Sequence, residues 1–120
     1  MAIKGEKMSK KQKSEAIKSE KILSVNISAL KEHEILKIID NRIKKHRRTI
    51  IFTPNPQILL SAERSRYERM ILNSADINIP DGTGLVLASR LLGGGIKRRI
   101  GGIDLGMSLL KLAERRGYRV

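Results

Sequence analysis

The sequence predicts an α/β fold, a mainly parallel sheet with helices on both faces. Three observations predict it. Strand-like and helix-like stretches alternate along residues 21–120, the pattern of parallel crossovers. Ile50-Ile51-Phe52, following Thr49, is a short continuous apolar run, as in a strand buried on both faces. Two polar turns, Thr53 to Gln57 and Asp81 to Gly84, fall between a strand-like and a helix-like stretch. That is where open parallel sheets hold their ligands.

Residues 1–20 are lysine-rich with few large apolar side chains and read as a solvated, disordered basic tail. The alternative for this tail is a surface anchor on anionic lipid. Residues 21–120 form the α/β unit. Ile22 to Ile27 alternates loosely and reads as one strand, and Ser28 can cap the helix behind it. Leu30, Ile35, Leu36, Ile38, Ile39 and Ile43 recur at helical spacing and define an apolar face. The run Lys44 to Arg48 closes that helix, since cations favour the C-terminal end of the dipole.

After the Thr49–Phe52 strand, Pro54 and Pro56 forbid a ladder. Pro56 suits a first helical turn, which makes Asn55 the natural N-cap. One helix is expected from about Ile58 to Asn73, with Leu59, Ala62, Tyr67, Met70 and Ile71 near one face. Asp76 to Pro80 reads as a strand, Asp81 to Gly84 as a turn and Leu85 to Leu92 as a helix ended by Gly93 to Gly95. The basic turn Lys97-Arg98-Arg99 leads to a last helix, Leu105 to Arg116, with Gly117 as its C′ residue. Tyr118 to Val120 resembles the start of another strand, so the chain reads as the first half of a larger, truncated sheet.

Composition excludes several classes of function. Among 120 residues, 40% are hydrophobic and 31% charged, which is globular. No cysteine is present, so disulfides and thiolate metal sites are unavailable. His33 and His46 are the only histidines, which argues against a His-rich zinc centre. No apolar run reaches the length of a membrane span, and no apolar segment follows the first lysines as in a secretory signal. The balance of 25 Lys+Arg against 12 Asp+Glu gives a net charge of +13. That attracts polyanions: nucleic acid, anionic lipid or a diphosphate. With only Phe52, Tyr67 and Tyr118 as aromatics, stacking on single strands is disfavoured, and duplex phosphates are the remaining nucleic-acid target.

The two polar turns supply the candidate site residues Thr53, Asn55, Gln57 and Asp81, with Thr83 between two glycines. The following helix N-terminus favours negative charge. Asn55 and Asp81 have plainer readings as a helix cap and a turn residue. Arg98 and Arg99 read as a solvated turn more often than as a diphosphate clamp. The glycines at 93–95 and 101–106 do not follow the phosphate-loop patterns.

Three segments in order are more specific: Thr53-Pro54-Asn55-Pro56-Gln57, then Pro80-Asp81-Gly82-Thr83-Gly84 running to Gly93, then Arg99-Ile100-Gly101-Gly102-Ile103-Asp104-Leu105. From about Ile22 to Val120 the chain resembles the WecG/TagA/CpsF family of glycosyltransferases. The resemblance implies a Rossmann-like fold and an inverting transfer without cofactor or bound metal. N-acetylmannosamine or a related sugar moves from a UDP-sugar to a sugar on undecaprenyl diphosphate, in cell-wall or surface-polysaccharide synthesis. The position matching Asp81 is then the general base, and those matching Thr53 and Asn55 line its pocket. Gln57 and Thr83 are expected to bind substrate, and Arg99 to meet charge on the leaving group. An inverting transfer needs one carboxylate to take the acceptor proton, and neutral polar side chains can orient sugar hydroxyls. A cytoplasmic enzyme resting on the inner face of the membrane is implied, with a homo-oligomer open as a further partner. Family members are longer, so this chain by itself is expected to lack much of the nucleotide contact. Two other readings stay open: a small basic nucleic-acid module, and a non-catalytic remnant that needs a partner chain.

Overall fold

The computed structural model describes residues 17–120; most of the expected basic tail therefore lies outside the described residues. Among the described residues, five helices and four short strands follow in order. β1 (Ser19–Ile22) and β2 (Val25–Ser28) precede α1 (Glu32–Lys44); β3 (Ile51–Phe52) precedes α2 (Pro56–Arg64) and α3 (Arg66–Ser74); β4 (Ile77–Asn78) precedes α4 (Thr83–Leu91) and α5 (Gly102–Arg116). The α/β class stands, and its parallel part is the pair β3–β4, with Ile51 opposite Ile77 and Phe52 opposite Asn78.

Alternation along these two strands explains why helices pack on both faces. Ile51, Ile77 and Ile79 point into a core with Ile35 and Ile39 of α1 and Leu105 of α5. Phe52 packs into a second core, formed by Val25 and Ile27 of β2, Leu59 and Ala62 of α2, Leu72 of α3 and Leu85 of α4. Asn78 points to that second side. Its Nδ2 donates to the carbonyls of Leu72 (2.7 Å) and Asn26 (3.0 Å), bridging β4 to α3 and β2.

Several expectations are corrected. Ile22 to Ile27 is not one strand but an antiparallel hairpin, with Ile22 paired to Val25. Leu23 makes the turn in left-handed backbone (φ 55). The hairpin starts at Ser19, inside the expected tail, because Glu20 has partners: Ser89 Oγ donates to its carboxylate, and so does the Gly95 N–H at 2.6 Å. Ser28 does not cap α1. Its hydroxyl accepts from the Leu30 N–H at 3.2 Å, while Glu34 reaches back to the N–H of Lys31 at 3.1 Å, the true cap position.

The single helix expected over 58–73 is two helices, α2 and α3. Ser65 is extended (φ −128, ψ 109) and its hydroxyl accepts from the Glu68 N–H at 3.3 Å. Arg69 donates to the carbonyls of Ala62 (3.3 Å) and Glu63 (2.8 Å), satisfying the end of α2. The restart changes the buried face: Leu72 is buried, whereas Tyr67 and Met70 are exposed. β3 is half-buried rather than enclosed, and Ile50 is exposed. Tyr118 to Val120 forms no strand. The N–H of Tyr118 turns back to the Ala113 carbonyl at 2.9 Å, around Gly117 in the left-handed conformation (φ 71, ψ 26). This is the helix-ending motif that the glycine predicts.

Candidate functional site

Everything at the carboxyl ends of β3 and β4 is drawn to one edge by short backbone links. The Ile79 N–H donates to the Phe52 carbonyl at 2.8 Å, so the chain leaves both strands side by side, toward Thr53 and toward Pro80-Asp81. The Ile100 N–H donates to the Pro80 carbonyl at 3.0 Å, which brings the start of α5 to the same place. Helices α2, α4 and α5 all begin here.

The approach is close. A methyl on Gly102 would lie 3.0 Å from Thr53 Cγ2, and one on Gly84 would lie 3.2 Å from Pro56 Cγ. Thr53 therefore lies against the first turn of α5, and the Thr53–Gln57 turn against the Asp81–Gly84 turn. The three segments singled out in sequence meet at one polar edge, where open parallel sheets have their ligand crevice. Gly82 caps α4 with φ 104 and ψ 146, backbone that only glycine adopts without strain.

Asn55 does serve as a cap: its Oδ1 accepts from the Ile58 N–H at 2.9 Å. Its amide nitrogen has no hydrogen-bond partner among the described residues. Asp81 is different. No side chain caps α4 or α5, and Asp81 has no hydrogen-bond partner among the described residues. Half-buried at this edge, it is not the capping residue that its position after a strand suggests. Thr53 is exposed against Gly102; Gln57 and Thr83 are exposed on the first turns of α2 and α4. The open first turns of α4 and α5 present N–H groups that favour an anion.

Arg99 is only partly brought to this edge. It precedes Ile100 in the chain, but its side chain lines a separate groove of about 820 Å³ together with Lys31 and Lys97. A smaller polar hollow of about 130 Å³, bordered by Asn26, Asn73, Asp76 and Asn78, lies away from the crevice. Two residues at the crevice were not candidates from sequence. Gly102 lets Thr53 approach α5, and Asp104 folds its carboxylate back to within 2.9 Å of where a methyl on Gly101 would stand. The signal available for both was a Gly-Gly pair two residues before an acid at a helix start.

A parallel strand pair with helices on both faces, its strand-to-helix turns meeting at the carboxyl edge, defines an α/β protein of Rossmann-like layout. Residues 20–120 match the profile of the glycosyl transferase WecG/TagA/CpsF family, and the chain belongs to that family. It is similar to the N-acetylglucosaminyldiphosphoundecaprenol N-acetyl-beta-D-mannosaminyltransferase of Bacillus spizizenii (strain W23). The two are 40% identical over 79 residues, which is 65% of this chain and 30% of the relative. The protein of the same name from Bacillus subtilis (strain 168) is 35% identical over 71 residues, 59% of this chain and 28% of the relative. The matched stretch thus spans less than a third of each relative's length.

Proposed function

We propose that residues 17–120 supply the acceptor side of a glycosyltransferase site. In this reading the enzyme moves N-acetylmannosamine or a related sugar from a UDP-sugar to a sugar on undecaprenyl diphosphate, with inversion and without a metal. The observation that carries it is the half-buried Asp81 carboxylate, without a hydrogen-bond partner among the described residues, in a turn whose Gly82 and Gly84 lie against Pro56 of the Thr53–Gln57 turn. A base must keep an unshared lone pair facing the hydroxyl that it deprotonates. Thr53 and the Asn55 amide would orient the acceptor sugar, and Gln57 and Thr83 its outer hydroxyls or acetamido group. Charge developing on the leaving nucleotide would meet the open first turns of α4 and α5 and the Arg99 guanidinium. The enzyme would work at the cytoplasmic face of the membrane, where its lipid-linked acceptor is anchored and its cationic surface is attracted to anionic lipid.

The test is transfer of labelled N-acetylmannosamine from the UDP-sugar to the lipid-linked acceptor by the full-length protein that contains these residues. Asp81→Asn, near-isosteric, is expected to lower kcat by about 10²–10⁴-fold with little change in acceptor KM. Undiminished kcat in Asp81→Asn sinks the assigned role.

A further inference from the structure

Beside the crevice lies the groove of about 820 Å³ that Arg99 lines. Its walls come from segments far apart in sequence, the approach to α1 and the loop between α4 and α5. Five cations line it: Lys18, Lys31, Lys97, Arg98 and Arg99. None forms an ion pair with another described residue. Its two acids are already engaged: Glu34 accepts from the Lys31 N–H, and Glu32 accepts from the Ser108 hydroxyl at 2.5 Å. His33 completes the polar lining. The remaining lining is apolar: half-buried Ala29, Leu30 and Leu36, with the buried Ile96 and Ile100 forming its floor.

Five cations against two carboxylates on one concavity leave an excess of positive charge, which raises the local potential and favours entry of an anion. A protein that needed only solubility would spread them. The apolar lining adds a second requirement, since free phosphate would leave it unused. An amphiphile whose charged head continues into hydrocarbon satisfies both. We propose that this groove holds the diphosphate and first isoprene unit of the lipid-linked acceptor, with Lys31, Lys97 and Arg98 as binding residues beyond Arg99. The assignment rests on the acceptor proposed above and adds its anchoring site. The placement suits the chemistry. In a sugar joined directly to a diphosphate, the reacting hydroxyl and the diphosphate lie on the same ring. The groove likewise meets the crevice at Ile100, whose N–H is bonded to Pro80, the residue before Asp81.

Binding of geranyl diphosphate to the full chain, followed by calorimetry in low salt, tests this without any transfer step. Lys31→Gln/Lys97→Gln/Arg98→Gln is expected to weaken it by about tenfold or more, as two or three charge-assisted contacts are lost. Arg64→Gln/Arg66→Gln/Arg90→Gln removes the same charge from exposed positions outside the groove and should leave affinity within about twofold, short of the tenfold that 1.4 kcal/mol represents. Circular dichroism verifies that both variants fold. Equal losses in the two variants, no binding by the unmodified chain, or binding of UDP as tight as that of geranyl diphosphate would overturn the assignment. So would binding confined to phosphatidylglycerol vesicles. Asp81→Asn should bind geranyl diphosphate normally, so failure of the catalytic reading and failure of the groove are separately visible.

Discussion

Asn55 spends one side-chain atom on the scaffold and keeps the other. Its Oδ1 holds the first turn of α2 through the Ile58 N–H, while the amide nitrogen has no described partner. Asn55→Ala should therefore cost about 1 kcal/mol in urea unfolding, as lost caps do, whatever its role toward substrate. Asn55→Asp separates the roles. It keeps the acceptor for Ile58 and removes the donor, so stability should hold within a few tenths of a kcal/mol while acceptor KM rises. An unchanged KM would reduce Asn55 to a cap. Gly82 gives a complementary case. With φ 104 and ψ 146, Gly82→Ala is expected to destabilise by about 1–3 kcal/mol. It should also re-aim Asp81, read as a fall in kcat larger than the loss of folded protein explains.

At the scale of elements, Ser65 decides that the segment after Asn55 is two helices. Ser65→Ala removes the hydroxyl that accepts from the Glu68 N–H and should lower the urea midpoint by the equivalent of about 1 kcal/mol. Arg69 would still hold the end of α2, so the break should persist. The sequence carried this signal, since Ser65 and Glu68 have capping-box spacing, but the apolar period running on to Met70 and Ile71 masked it. Legibility follows the range of the cause. Asn55 over Ile58 and Gly117 at the end of α5 act within a few residues and could be read directly. The hairpin could not, because Leu23 turns it without a glycine and its start depends on Glu20 meeting Ser89 and Gly95. The meeting of the Thr53–Gln57 and Asp81–Gly84 turns was legible because both sit at strand ends, where topology brings loops together. The cationic groove was not, because Lys31 and Lys97 become neighbours only when α1 and the loop before α5 pack.

At the scale of the whole molecule, the side-chain bond that spans the most sequence among the described residues joins Tyr118, just past α5, to Asp40 of α1. The Tyr118 hydroxyl donates to Asp40 at 2.5 Å, and Arg116 and Lys44 each approach the same carboxylate at 3.1 Å. The bond from Tyr118, then Lys44 and the Arg116 charge, hold the Asp40 pKa below the ordinary carboxylate range against burial, which pulls it up. In return Asp40 raises the Tyr118 pKa, chiefly through the same hydrogen bond. The sign of each linkage is fixed. A carboxyl group whose pKa is lower in the folded state stabilises above its unfolded pKa and loses that contribution as pH falls through the folded one. A phenol whose pKa is raised stabilises below its unfolded pKa and loses the contribution as pH rises through the folded one. The melting temperature of Asp40→Asn should therefore lie below that of the unmodified chain between about pH 5 and pH 9, since carboxylates titrate near pH 4 and phenols near pH 10. The gap should close in acid, as the unmodified chain is protonated at Asp40 and loses the Arg116 and Lys44 pairs. Tyr118→Phe should lower the neutral-pH melting temperature too, and in the double variant the two losses should not add, because both remove one shared bond. Fully additive losses, or a gap that persists undiminished at pH 3, would show that α5 is held to α1 by its Leu105 packing and not by this carboxylate.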